Sequence, residues 1–180
     1  LGKKIAAPAM KTGVLLVAAA LLAGCQTMAP EEQRATAQLK PTKGSKAFGE
    51  ATFEQVGGKV RVVVYVQGLT PGRAHGIHIH EVGDCGSGDG MSTKGHFNPF
   101  GKPHGHFGTE NRHAGDLPAL TANKGGRAKL DVEMGVITVT PGPASVVGRG
   151  LIVHADPDDY RTQPTGNAGA RIACAVIQRS

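Results

Sequence analysis

The stretch His75-Gly76-Ile77-His78-Ile79-His80-Glu81 is the most informative segment of this chain. Isoleucine and histidine alternate across it, and this period of two residues is typical of a β-strand. The alternation would place the rings of His78 and His80 on one face of the strand, roughly 6.5–7 Å apart along it. Two imidazoles at that spacing can bind one cation, so the segment predicts both a strand and a metal site.

Further metal-binding side chains follow, mostly in segments rich in Gly, Pro and Asn, which favour loops. They are His96, His104, His113, Asp116 and His154. Loops that are held by a rigid scaffold can converge on a site carried by a strand. Together with the two strand histidines, these residues suit two adjacent metal ions that share one ligand.

Short apolar or alternating runs, broken by turn-forming residues, extend from Ala47 onward. They predict strands at 47–55, 59–68, 75–81, 128–133, 148–154 and 170–178. The residues Val56-Gly57-Gly58-Lys59 predict a hairpin turn between the first two strands. Because no stretch of the mature chain has a convincing 3.6-residue apolar period, we expect an all-β sandwich or barrel. The interval 83–127 is too long for a plain turn, and metal ligands and a disulfide would have to order it.

The front of the chain has the features of an export signal. Lys3, Lys4 and Lys11 precede an apolar run, Val14 to Ala23, that is too short to span a bilayer as a mature helix. Residues 1–24 are therefore predicted to be a signal peptide. The tetrad Leu-Ala-Gly-Cys at 22–25 resembles the bacterial lipoprotein cleavage box, which would make Cys25 the lipidated first residue and a membrane anchor. The alternative is an ordinary signal peptide with a cysteine nearby.

Residues 25–46 are polar and lack an apolar period, so we expect a flexible tether there. A single domain would then occupy 47–180. The expected location is the periplasm or cell envelope. Gln26, rather than an aspartate, after Cys25 favours delivery to the outer membrane if the cell has one.

Charge and cysteine content restrict the function further. Removing residues 1–24 takes away three lysines and no acid, so the net charge falls from +6 to +3, and there is no Trp. Scattered basic residues without stacking aromatics exclude nucleic-acid binding. If Cys25 carries lipid, Cys85 and Cys174 remain as an even pair, which an oxidising compartment would join; two buried free thiols are the alternative for a cytosolic chain.

Six motifs in order, within roughly residues 47–178, resemble those of the copper–zinc superoxide dismutases. They are HGIHIHE (75–81), GHFNP (95–99), KPHG (102–105), RHAGDL (112–117), GRGLIVH (148–154) and GNAGARIAC (166–174). The resemblance implies a Greek-key β-barrel, often described as an immunoglobulin-like sandwich, with long metal-binding and electrostatic loops.

The resemblance also implies the cofactors and their ligands. The copper ligands would be His78, His80, His96 and His154. The zinc ligands would be His96, His104, His113 and Asp116, with His96 bridging the two ions as an imidazolate. His106 lies two residues from His104 and could compete for zinc, although the Lys-x-His-Gly context favours His104.

The remaining roles are implied in the same way. Arg171 resembles the family's anion-guiding arginine, Thr165 its partner at the channel mouth, and Asp158 the aspartate that links His78 to His104. Cys85 and Cys174 would form the intrasubunit disulfide. The expected activity is dismutation of superoxide to dioxygen and hydrogen peroxide by alternate reduction and oxidation of copper, with His96 carrying a proton.

Two departures from the animal and plant enzymes limit the resemblance. The segment from His154 to Arg171 is short, and Asp156 stands where those enzymes have a lysine near the mouth, so the extent of steering is open. Cys85 follows His80 by five residues, as in bacterial members, so a homodimer is compatible with the resemblance but is not implied by it. The rival functions are a non-enzymatic copper-binding or copper-delivering lipoprotein and a zinc-only structural domain.

Overall fold

The computed structural model describes residues 1–3 and 33–180, and the fold described here is that of the compact unit at the C-terminal side of Glu31. The predicted signal peptide and Cys25 lie outside the described residues. Within the described ranges, no helix is long and apolar enough to cross a membrane.

The fold is all-β, as predicted, with ten strands and one short 3₁₀ helix over residues 33–180. The strands are β1 (Arg34–Pro41), β2 (Phe48–Val56), β3 (Lys59–Gln67), β4 (Ala74–His75), β5 (Ile77–His80), β6 (Leu120–Thr121), β7 (Ala128–Met134), β8 (Gly150–His154), β9 (Arg171–Val176) and β10 (Gln178–Arg179), and the 3₁₀ helix is Met91–Thr93. The main sheet has the order β5-β8-β9-β1-β2-β3-β7, with β10 also paired to β1, while β4 and β6 form a separate pair.

Strand alternation builds the hydrophobic core. In β3 every second residue is a valine with almost no exposed surface, namely Val60, Val62, Val64 and Val66, and the residues between them are exposed or half-buried. Burying such a side chain contributes about 1.5–3 kcal/mol. The same alternation in β5 sends Ile77 and Ile79 into the core.

Strand β1 corrects the prediction of a flexible tether at 25–46, which is wrong for residues 34–41. Ala35, Ala37 and Leu39 point into the core, and the residues between them face outward. Most of β1 pairs with β2, whereas Lys40 and Pro41 pair with β9, so this strand joins the two halves of the curled sheet. The pattern was missed because alanine is small and a weak strand former, so the segment reads as polar.

All six predicted strands are present, with differences at their ends. The predicted strand 75–81 is divided into β4 and β5 at Gly76, and 170–178 is divided into β9 and β10. The hairpin turn at 56–59 is confirmed, since Val56 pairs with Lys59 and Gly57 has a φ of 58°. Strand β6 was not predicted; two residues are too few to give a periodic signal.

The long interval between β5 and β7 is ordered by β5 itself. Phe97 donates its N–H to the Ile79 carbonyl at 2.8 Å, and Ile79 donates its own N–H to the Gly115 carbonyl at 3.0 Å. The Cys85–Cys174 disulfide joins the start of the interval to β9, with 5.9 Å between the Cα atoms, and confirms the predicted pairing. The free edge of β5 is thus covered by loop backbone, and this brings the loop histidines to the strand.

Candidate metal centre

Strand β5 carries the first two histidines of the site. Because Ile77 and Ile79 face the core, His78 and His80 project from the opposite face, and both are fully buried. Their ring centres are 6.3 Å apart. Isolated bridges then place His96 opposite His80 and Asp116 opposite His78. The loop backbone that covers the strand edge therefore brings His96 and Asp116 to the two strand histidines.

Four buried histidines form what we call the histidine group: His78, His80, His96 and His154. Each offers a ring nitrogen, and these four atoms all lie within 4.8 Å of one another. His154 ends β8, where the register with β9 shifts, and its N–H donates to the Gly76 carbonyl at 2.8 Å. The group thus draws on two paired strands and one loop.

The outward-facing ring nitrogens of three of these histidines are held by protein oxygens. His80 Nδ1 lies 2.9 Å from the Lys94 carbonyl, and His154 Nδ1 lies 3.3 Å from the Gly169 carbonyl. His78 Nε2 lies 2.7 Å from Asp158 Oδ2. These contacts fix the tautomers, since the nitrogen beside each oxygen must carry the proton, and such partners orient metal-binding imidazoles.

The inward-facing nitrogens test whether the group fits a metal. His78 Nδ1 and the Nε2 atoms of His80, His96 and His154 are buried and have no hydrogen-bond partner among the described residues. Leaving a buried polar atom unpartnered costs about 1–3 kcal/mol. Four such lone pairs converging on one point fit a bound ion, and an all-imidazole set suits copper.

The second cluster, which we call the aspartate group, consists of His96, His104, His113 and Asp116. Asp116 Oδ1 lies 2.9 Å from His96 Nδ1, 3.1 Å from His104 Nδ1 and 3.5 Å from His113 Nδ1. Asp116 Oδ2 accepts the backbone N–H groups of His113 and Gly105, which hold the carboxylate in place. Three nitrogens and one oxygen form a set that suits tetrahedral zinc.

Two residues connect the groups. His96 belongs to both, with Nδ1 directed at Asp116 and Nε2 in the histidine group. Asp158 lies between them: Oδ2 contacts His78 Nε2, and Oδ1 contacts His104 Nε2 at 2.9 Å. The structure therefore brings together all the side chains that the sequence assigned to the two metals, and places Asp158 between the two groups.

The electrostatics of the groups differ. Burial, followed by the neighbouring His96, sets the pKa of His80 well below its ordinary value, and burial does the same for His154. Burial also lowers the pKa of His96 to about 4. Burial opposes the charged form of His104 too, but hydrogen bonds to Asp116 and Asp158 outweigh it and raise the pKa of His104 to about 9. His80, His96 and His154 are therefore neutral at pH 7, the form in which imidazole binds metal.

A surface pocket leads to the histidine group. It is lined by His80, His96 and His154 and by residues nearer the surface, including Met91, Thr165 and Arg171. Arg171 Nη1 donates to the Gly90 carbonyl at 2.7 Å and to Thr93 Oγ1 at 2.9 Å, and Nη2 donates to the Lys94 carbonyl at 2.7 Å. The guanidinium is thus fixed in place at the pocket.

Two other histidines lie outside both groups. His106 is exposed and its ring packs edge-on against Tyr160, with 4.6 Å between ring centres. His104, not His106, therefore belongs to the aspartate group. His75 is buried, and its Nδ1 donates to the His154 carbonyl at 2.9 Å, so it supports the backbone of the site.

Several supporting residues were not found from the sequence. Gln163 forms two hydrogen bonds with the backbone of His104, each 2.9 Å long. Arg112 Nη1 donates to the carbonyls of His113 and Asp116. Gly166 has a positive φ, and a Cβ there would collide with the Asp158 carboxylate. Arg112 lies inside a quoted motif and could have been found there, whereas Gln163 has no local signal.

The fold and these two groups define a class of protein: an all-β metalloprotein in which one histidine is shared by two buried metal-binding clusters. The sequence profile of the family described as copper/zinc superoxide dismutase matches residues 47–177. The chain belongs to this family of oxidoreductases, which dismutates superoxide using copper and zinc.

Individual relatives agree with this result. Superoxide dismutase 2 of the Cu-Zn type from Aquifex aeolicus strain VF5 is 37% identical over 152 residues, which cover 82% of this chain and 88% of that protein. The Cu-Zn superoxide dismutase of Paramecium bursaria Chlorella virus 1 is 42% identical over 143 residues, covering 76% of this chain and 73% of that protein. The crystal structure of the clock protein EA4 matches with a TM-score of 0.74 and 39% identity, covering 82% of this chain and 94% of that one.

Proposed function

We propose that this chain dismutates superoxide with copper held by the histidine group and zinc held by the aspartate group. The observation that carries the proposal is the position of His96, whose two ring nitrogens face the two groups. Copper, when bound, supplies the one-electron redox chemistry, while zinc keeps one oxidation state and serves to order and polarise the site.

His96 has a further role as a proton carrier. Two superoxide anions and two protons give one dioxygen and one hydrogen peroxide, so the reaction must deliver protons to a small anion. His96 Nε2 lies in the histidine group, its ring lines the pocket, and Asp116 contacts Nδ1 on the other side. A ring anchored in this way can hold a proton at Nε2 and pass it to an anion in the pocket, with the second proton coming from water.

Arg171 and Thr165 guide and orient the anion. The guanidinium keeps its charge at any working pH, and its three hydrogen bonds to the 90–94 segment hold it at the pocket. Asp156, the residue that opposes steering, lies 3.4 Å from Arg73. This exposed pair offsets part of the negative charge, although such pairs contribute little to stability. Arg171→Ala should slow the reaction and weaken its salt dependence without the loss of either metal.

The proposal is tested by His154→Ala, which removes a residue of the histidine group that the aspartate group does not share. Superoxide decay is followed by pulse radiolysis, and both metals are quantified on the same sample. Turnover should be abolished while zinc stays bound. His106→Ala is the matched control, since it removes an exposed histidine outside both groups and should leave turnover unchanged. Turnover that survives His154→Ala would contradict the mechanism.

The same measurement distinguishes the enzyme from the rival function. A non-enzymatic copper-binding or copper-delivering protein would hold copper in the wild-type chain without accelerating superoxide loss. The presence of four imidazoles, a fixed arginine and a pocket at one place favours the enzyme, because simple storage requires neither the arginine nor access for an anion.

Export as a lipoprotein is part of the proposal. The Leu-Ala-Gly-Cys tetrad supports cleavage before Cys25, lipidation of that cysteine and delivery to the periplasm or cell envelope, with the outer membrane favoured where one exists. The disulfide agrees with an oxidising compartment. Labelled palmitate should enter the wild-type protein but not Cys25→Ser, and the variant should leave the membrane fraction. A homodimer is compatible with the family resemblance but is not implied by it, and sedimentation of the mature domain measures the oligomeric state.

A further inference from the structure

Met91 is an exposed methionine at the mouth of the pocket that leads to the histidine group. Its relative exposure is 60%, and it lines the pocket together with His80, His154 and Arg171. Met91 is the one residue of this pocket lining that contains sulfur. Its side chain is thus largely free of packing, and its sulfur is accessible at the pocket.

The backbone holds Met91 in place while its side chain stays free. Met91 donates its N–H to Asp89 Oδ1 at 2.9 Å, and its carbonyl accepts the N–H of Lys94 at 3.1 Å. The preceding residue, Gly90, accepts a hydrogen bond from Arg171. The 3₁₀ turn that carries the thioether is therefore tied to the same arginine that lies at the pocket. This arrangement presents a sulfur atom at a defined place without using it for packing.

Unpartnered nitrogens lie deeper in the same pocket. The Nε2 atoms of His80 and His154 are buried and lack hydrogen-bond partners among the described residues. A soft thioether binds Cu(I) in preference to harder cations and, unlike a thiol, has no proton to lose. A single thioether is also a weak ligand, so an ion held there passes on to the imidazoles.

We propose that the Met91 thioether is the first ligand that Cu(I) meets, and that it transfers the ion to His80 and His154. The transfer exchanges ligands only, since no electron moves and no proton is released from sulfur. This inference rests on the proposed function, which assigns copper to the histidine group. It adds a loading role for a residue that the catalytic cycle does not use.

The test measures the rate of Cu(I) uptake by the full chain carrying zinc but no copper, with Cu(I) supplied from a chromogenic Cu(I) chelator under anaerobic conditions. Met91→Leu removes the sulfur and keeps the volume, and should slow uptake several-fold while the final copper content and the zinc content stay the same. Met91→His restores a ligand for Cu(I) and should restore the rate. Met134→Leu is the matched control, because Met134 is buried in β7 away from the pocket lining and its loss should not change the rate.

A second readout does not depend on rates. In protein labelled with ¹³C at the methionine methyl groups, Ag(I), a redox-inert analogue of Cu(I), should shift the Met91 signal and leave the Met134 signal in place. Equal uptake rates for wild type and Met91→Leu, or an unmoved Met91 signal, would overturn this inference while leaving the proposed function intact. Wild-type protein that takes up no copper at all would overturn both.

Discussion

The histidine group and the aspartate group share the His96 ring, yet their environments are opposite. The histidine group has no carboxylate among its members, and three of its rings, those of His80, His96 and His154, line a pocket and have pKa values lowered by burial. The aspartate group surrounds a buried carboxylate, and the pKa of His104 there rises to about 9 although burial opposes the charged form. The comparison shows that burial alone does not decide the charge of an imidazole. His104 contacts two carboxylates, those of Asp116 and Asp158, and its pKa rises, whereas His96 contacts Asp116 alone and keeps a pKa of about 4. His104 must therefore release a proton before it can bind a metal.

Asp116→Asn should have the largest effect, because it removes the carboxylate that distinguishes the aspartate group from the histidine group. The substitution removes the charge that three imidazoles contact, and breaking a buried ion pair costs about 3–5 kcal/mol. We expect zinc binding to be lost and the free energy of unfolding of the metal-free protein to fall by that order. Metal analysis and denaturant unfolding measure both. Asp159→Asn, which changes an exposed acid next to Asp158, is the control and should keep zinc. Full zinc occupancy in Asp116→Asn would show that the carboxylate is dispensable.

In the metal-free protein, the free energy of unfolding should depend on pH through both His96, whose pKa is low, and His104, whose pKa is high. Since the pKa of His96 is about 4 in the folded protein and near 6.5 when unfolded, the unfolded chain binds more protons between these values, and stability should fall as pH drops through this window. His104 has the opposite sign: its contribution is complete below pH 6.5 and is lost as pH rises through about 9. Each effect should amount to about 3 kcal/mol.

Unfolding with denaturant at a series of pH values, in the presence of a chelator, checks this expectation. The result should be a stability maximum near pH 6.5 that falls on both sides. A free energy of unfolding that does not change between pH 4 and 6.5 would contradict the account of the histidine group, and one that does not change up to pH 9 would contradict that of the aspartate group.

Asp158→Asn sharpens the comparison because this residue contacts one imidazole from each group. Loss of such an orienting carboxylate typically weakens metal binding about 10–100-fold. The larger loss should fall on zinc, since His104 would lose one of the two carboxylates that hold its ring while His78 still has paired strands around it. Chelator competition measures each affinity separately. Equal losses for the two metals would mean that Asp158 serves both groups alike.

Lys94→Gly should have the smallest effect. Lys94 has φ 62° and ψ −142°, a conformation that favours glycine, and its carbonyl contacts both His80 and Arg171. Glycine would relieve about 1–3 kcal/mol of backbone strain and cost about 0.5–1 kcal/mol in chain entropy, so the free energy of unfolding should rise by about 1 kcal/mol. Lys94→Ala removes the same side chain but keeps the strain, and should not be stabilised. Turnover of Lys94→Gly should stay close to wild type.

The sequence predicted the parts of this molecule that follow a local rule. Alternation in β5 placed His78 and His80 on one face, and the valines of β3 marked a strand. The same rule failed in β1, because Ala35 and Ala37 are too small to stand out from their polar neighbours, and that strand depends on pairing with β2 and β9. Asp158 was found through family resemblance rather than from spacing. Gln163 could not be found at all, since its contact with His104 spans 59 residues and only the folded chain brings the two together.

The covered edge of β5 has a consequence for the protein without its metals. The loop backbone at 95–97 and 113–116 satisfies N–H and C=O groups that would otherwise form a bare strand edge. Three of the four members of the aspartate group, His96, His113 and Asp116, lie in these segments. When zinc is removed, the loop segments that cover β5 lose the metal contacts that help to hold them there. An uncovered strand edge is a template for strands from other molecules. Self-association of the metal-free protein should therefore begin at β5, and metal supply would govern its solubility as well as its activity.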